Sequence, residues 1–187
     1  MFLRMRRVYI MVLTAVMAVC LRVGAQPREP EPQNGDLTPA ILRALGLERE
    51  RIVVASPHVW TLTNGFVVYS SKPYGENIYG YAGTIPLFIA VQGDVIVAIV
   101  AADNKETPQR FKLAEPLLAK WKGKSLKKAA KLNPDAISGA TMSSRALIKT
   151  VQATAQGVVA GKKQERKEKK RERKEGHYDG RSGATGR

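Results

Sequence analysis

Apolar and polar positions fall into blocks along the chain. The first apolar block, Val8 to Leu21, sits behind Arg4, Arg6 and Arg7 and ahead of Arg22. It is shorter than the ~20 apolar residues that span a bilayer. With Val23 and Ala25 after it, the layout is that of a secretory signal cut after Ala25, or alternatively of an uncleaved N-terminal anchor. Residues 26–51 are Pro-rich and polar, a linker in which Thr38 and Pro39 could cap and open a short helix. Two β-rich runs between Arg51 and Ser71 flank Asn64-Gly65, a hairpin signal. A second pair runs through Ile89 and Val91, turns at Gln92-Gly93-Asp94 and returns from Val95 to Ala101. Its residues are almost continuously apolar, so these strands are expected to be central and covered on both faces.

After Pro108 the period changes. Phe111, Leu113, Ala114, Leu117, Leu118 and Trp121 are spaced as one side of a helix, with Pro116 as a potential kink and Gly123 as its end. Ser125 to Leu132 could add another turn. A further helix is expected after Ser143 or Ser144 as cap, with Ala146, Ile148, Val151, Ala155 and Val158 as its apolar side. From Gly161 onward charged residues dominate, which predicts disorder or a frayed charged helix. The sum is one α+β domain over residues 52–160, a small antiparallel sheet packed with helices. It would follow an export signal (1–25) and a linker (26–51), and precede a disordered basic tail (161–187).

Charge changes this picture little. The formal net charge is +15, and much of the excess lies between Lys162 and Lys174. A basic balance suits nucleic acid, an anionic membrane surface or an acidic protein, without choosing among them. For an exported chain no nucleic-acid partner is expected. The single cysteine, Cys20, excludes a disulfide within the chain and a Cys-based metal site. His58 and His177 have no second histidine at ligand spacing, so no metal is expected.

The candidate chemistry lies in "DAISGAT", Asp135 to Thr141. Gly139 and Ala140 remove side-chain bulk, Ser138 and Thr141 supply hydroxyls, and a helix is expected to start just beyond. Small residues and hydroxyls before a helix N-terminus can receive a phosphate. A turn with serine and threonine caps is the plainer alternative. A near copy, with Asp, two different residues and then Ser-Gly-Ala-Thr, recurs at Asp179 to Thr185.

"DAISGATMSS" resembles the flavinylation motif of the FMN-binding domain family, found in the C and G subunits of the Nqr and Rnf electron-transport complexes. "GYAGTIPLFIAV" (Gly80 to Val91) is similar to that family's Gly-Tyr-x-Gly strand entry, and "NKETPQ" (Asn104 to Gln109) to its Glu-Thr-Pro loop. All three occur in family order. Where the family often has Gly after Glu-Thr-Pro, this chain has Gln109 and Arg110.

The resemblance implies that a flavin transferase joins FMN through its phosphate to Thr141. Asp135, Ser138, Gly139 and Ala140 complete the motif. Gly80 and Gly83 would let the backbone pass close to a flat ring, Tyr81 would line it, and Glu106 and Thr107 would touch the ring or ribityl chain. It further implies an extracytoplasmic electron carrier rather than a complete enzyme, working between redox donor and acceptor proteins at the membrane. No Gly-x-Gly-x-x-Gly fingerprint or second cofactor motif is present. In the tail copy, Thr185 could be a second FMN site, a docking decoy for the transferase, or coincidence. The competing reading from a different class is a non-catalytic basic interaction protein whose tail binds polyanions or a membrane surface.

Overall fold

A computed structural model describes residues 37–178, with side chains as far as 173. The export segment, most of the Pro-rich stretch and the second motif copy with Thr185 lie outside the described residues. The elements run α1 (Pro39–Ala44), β1 (Ile52–Ser56), β2 (Val59–Leu62), β3 (Phe66–Ser70), α2 (Lys72–Gly75), β4 (Leu87–Gln92), β5 (Val95–Ala101), α3 (Pro108–Ala114), α4 (Leu126–Ala129) and α5 (Thr141–Tyr178). The strands form one antiparallel meander in sequence order, β1-β2-β3-β4-β5. The result is the expected α+β domain.

The Asn64-Gly65 hairpin is present between β2 and β3. Both residues take positive φ, 55° and 76°, as a tight turn between twisted strands requires. The apolar run before it is two strands rather than one. They separate at Pro57-His58, where His58 has φ 65°. This turn is hidden in the sequence because the residues on either side are equally apolar.

Strand β4 shows why its sequence is continuously apolar. Leu87, Ile89 and Val91 face a core shared with Trp121, Leu147 and Val151, while Phe88 and Ala90 face a second cluster with Leu37, Leu45, Leu47 and Trp60. Both faces are covered, the second by the α1 segment. Its partner β5 departs from expectation. It is the edge strand and is only half-buried along most of its length. Its open edge is blunted at one end, where Ile96 N–H donates to Lys124 O (2.9 Å) and Gly123 N–H donates to Ile96 O (2.8 Å). Such capping keeps an edge from pairing with another chain.

Pro116 does more than kink the segment after Pro108. Proline lacks the N–H that would close an α-turn and crowds the carbonyl four residues back. The α-geometry stops at Ala114 and the chain tightens to a 3-10 helix over Glu115–Trp121. This turns Leu117, Leu118 and Trp121 into the core, where the Trp121 indole N–H donates to Ala129 O (3.3 Å).

Helix α5 is the spine of the domain. Ala146, Ile148, Val151, Ala155 and Val158 are buried as expected, together with Leu147. Each large aliphatic side chain so buried contributes about 1.5–3 kcal/mol, so this half of α5 is held by packing. The other half runs beyond Ala160 as the same helix to Tyr178. There Glu165, Glu168 and Glu172 recur at spacings of three and four. They therefore share one side, and the eight Lys and Arg of residues 162–173 fill the rest. Lys162 ties the start of this extension to the β4–β5 turn, donating to Asp94 Oδ1 (2.8 Å) and Gly93 O (3.1 Å).

Candidate functional site

The "DAISGAT" segment leads directly into α5, whose first residue is Thr141. The Ala140 carbonyl accepts the first helical bond from Ser144 N–H (2.9 Å). Ser143 and Ser144 are therefore not caps; both lie buried in the first turn. Ser144 Oγ instead reaches back to accept from Ile137 N–H (3.1 Å), and Ala140 N–H donates to Ile137 O (3.1 Å). These bonds curl residues 137–140 into a tight turn. Gly139 takes φ 79° in it, and an added Cβ would meet only Leu113 Cδ1 at 3.8 Å, an ordinary contact. The glycine is needed for its backbone conformation, not for lack of room.

The turn leaves a graded surface. Ala140 is buried, while Asp135, Ser138, Gly139 and Thr141 are exposed. Thr141 thus stands exposed at the helix start, where unpaired N–H groups and the helix dipole favour an anion. Beside it lie large apolar side chains that the fold leaves in water. Met142 is 53% and Leu113 52% exposed.

Glu106 joins the three similar stretches. It is only 6% exposed. Its Oε1 accepts from Ala82 N–H (2.8 Å), inside the Gly80–Gly83 loop, and its Oε2 accepts from Ser143 Oγ–H in the first turn of α5. Its own N–H donates to Asn104 Oδ1 (3.1 Å). The loop it grips is closed by Gly80 N–H donating to Gly83 O (2.7 Å). A Cβ on Gly80 would lie 2.6 Å from Glu106 Oε1, closer than such contacts allow. Gly80 is therefore glycine because the carboxylate occupies that space. Around Gly83 there is open space, with no atom within 4 Å of an added Cβ.

The remaining expected residues sort themselves around this strut. Tyr81 is 75% exposed on the loop tip, and Tyr79 beside it is also exposed. Thr107 is exposed and precedes α3, its carbonyl accepting from Arg110 N–H (3.0 Å) and Phe111 N–H (2.9 Å). The structure brings the Gly80–Gly83 loop, Glu106 and the start of α5 into direct hydrogen-bonded contact. It turns the Glu106 side chain inward and leaves Tyr81 and Thr107 on the outside.

Four further residues belong to the site. Ser143, expected as a cap, lies buried, and Leu113, expected on a buried helix side, is exposed. Met142 carries no signal in the sequence. Arg110 stands out there only as a departure from a familiar loop. In the structure its Nη1 donates to Gly139 O (2.8 Å), tying α3 to the motif turn.

A flat aromatic group with a phosphate fits these residues. Thr141 is exposed, small residues precede it, exposed apolar side chains lie near it, and Arg110 stands beside the turn. Among the described residues no group of three His, Cys, Asp or Glu is placed to hold a metal ion, and no helix is long and apolar enough to cross a membrane. No curated protein and no solved structure gave a significant match. Residues 80–156 match the family model of the FMN-binding domain, a stretch that contains the Gly80–Gly83 loop, Glu106 and the whole Asp135–Thr141 motif. The chain therefore carries an FMN-binding domain over residues 80–156, and it is an FMN-binding protein.

Proposed function

We propose that FMN is held covalently, as a phosphoester on Thr141, and that the protein serves as an electron-transfer carrier outside the cytoplasm. The observation that carries this reading is the placement of Thr141. It is the exposed first residue of α5, preceded by a tight turn of small residues, inside the matched FMN-binding domain. In the attachment step Thr141 Oγ1 gives up its proton and bonds to phosphorus. A flavin transferase would supply the activated, nucleotide-linked flavin phosphate and release the nucleoside monophosphate. FMN, when bound, supplies one- and two-electron chemistry.

The chain's own residues would hold and shield rather than react. Thr141 anchors one end. Leu113, Met142 and Tyr81 offer exposed apolar surface for the ring. Glu106 and Ser143 keep the loop and the helix start in register from beneath. Donor and acceptor would be redox proteins at the membrane. A covalent link suits a protein exported by the signal-like segment at residues 1–25, because a dissociating flavin would be diluted away there.

The test is intact mass after co-expression with a flavin transferase, together with colour that survives denaturation. Wild type should gain flavin, and Thr141→Ala should lose one flavin per chain. A Thr141→Ala chain that keeps its full flavin content would sink the reading. Thr185→Ala, tested beside it, decides whether the second motif copy is modified.

The helical extension favours a second, compatible property. With its acids on one side, residues 162–173 present a broad basic surface suited to anionic lipid head groups. Salt-dependent binding to anionic vesicles should vanish when residues 161–187 are deleted.

A further inference from the structure

Arg110 is where this chain departs from the loop it resembles, and the structure gives the departure a use. Its guanidinium commits one N–H to Gly139 O at 2.8 Å, two residues before Thr141. A guanidinium carries five donors in a planar fork matched to phosphate oxygens, so one carbonyl does not exhaust it. A second cation sits on α5 itself. Arg145 is exposed and four residues after Thr141, hence on the same side of the helix one turn on. Long side chains on a helix lean toward its N-terminus, which directs Arg145 over the turn that begins with Thr141. The buried acid nearby, Glu106, is turned away, with both oxygens engaged by Ala82 and Ser143. One arginine bonded to the motif turn and another one helical turn beyond Thr141 thus serve the same exposed residue.

We infer that Arg110, assisted by Arg145, grips the phosphate of FMN at Thr141, so that the site holds FMN in preference to riboflavin. This rests on the reading that FMN lies at Thr141. It goes further in assigning phosphate recognition to side chains rather than to the helix start alone.

The experiment uses the full chain made without a flavin transferase, so that Thr141 is unmodified. FMN and riboflavin are titrated separately by flavin fluorescence. Wild type should bind FMN more tightly than riboflavin. Arg110→Gln should weaken FMN roughly tenfold, the size of one charge-assisted hydrogen bond, and leave riboflavin unchanged. Arg110→Lys should recover part of the preference, and salt should erode it. Arg145→Gln should reduce FMN binding by a smaller factor, roughly threefold. An unchanged FMN-to-riboflavin ratio in Arg110→Gln overturns the inference. Equal loss of both ligands also overturns it, because it would make Arg110 only a clamp on the Gly139 turn. Wild type that binds neither flavin overturns it as well. Attachment is read separately, by mass, in chain co-expressed with the transferase. A chain that discriminates FMN through Arg110 yet gains no mass would refute the covalent reading alone.

Discussion

Replacing Glu106 with alanine removes two acceptors in one step, and the cost can be worked from their surroundings. Ser143 is 2% exposed, so its hydroxyl would be left in the protein interior without Glu106 Oε2. An unpaired buried donor costs about 1–3 kcal/mol, and we take about 2. Ala82 is exposed, so water can replace Glu106 Oε1 there, and that loss is about 1 kcal/mol. Together Glu106→Ala should lower stability by about 3 kcal/mol, which for a domain of this size moves Tm down by roughly 6–12 °C. Glu106→Gln should cost much less, since its amide can accept from one partner and donate to the other. The assay is thermal unfolding followed by circular dichroism, run as a double-mutant cycle with Ser143→Ala. The two losses should overlap, because they remove the same bond. Glu106→Ala within 2 °C of wild type, or losses that simply add, would refute the strut.

Three further outcomes are expected. Gly80→Ala places a methyl group against the Glu106 carboxylate, so it should cost about 1–2 kcal/mol in urea unfolding, with little additional loss in a Glu106→Ala background. Gly139→Ala should cost about 1 kcal/mol for its left-handed backbone alone, and Gly139→Asn, which tolerates that conformation, should recover part of it. The Asp94 carboxyl is held below its usual value, first by the hydrogen bond from Lys162 and then by its charge. A lowered folded value means the contact is intact above the ordinary carboxylate range and is lost as pH falls through the depressed value. The Asp94 side-chain carboxyl signal should therefore titrate with its midpoint below the ordinary pH of about 3.9. A midpoint at or above that pH would contradict the assignment.

The legibility of this chain follows from where each constraint acts. Local rules revealed what local physics decides. The Asn64-Gly65 turn, the β4–β5 turn and the apolar side of α5 were all visible, and so was the motif string ending at Thr141. Constraints that act across the fold were not. Nothing local says that Gly80 yields its space to a carboxylate 26 positions away, or that Ser143 faces inward to meet that carboxylate rather than capping a helix. The position of β5 at the sheet edge was likewise invisible, because the helices and the Gly123–Leu126 segment supply the apolar contacts that a central strand would draw from neighbours. Arg110 is the converse case. In the sequence it is only a departure from a familiar pattern, whereas its long side chain reaches the motif and fastens it.

Helix α5 has one further property, since it is a single rod with the acceptor hydroxyl at its head and the charged extension behind. At about 100° per residue, Thr141 and Arg145 share an azimuth with Lys163, Arg166 and Lys170, while Glu165, Glu168 and Glu172 lie on the far side. The charged half and the motif therefore look out in one direction. An acidic body that comes to rest along the basic side of the rod is at the same time aligned with the side on which Thr141 stands. The rod acts as a keel: whatever grips its shank also decides which way its head points.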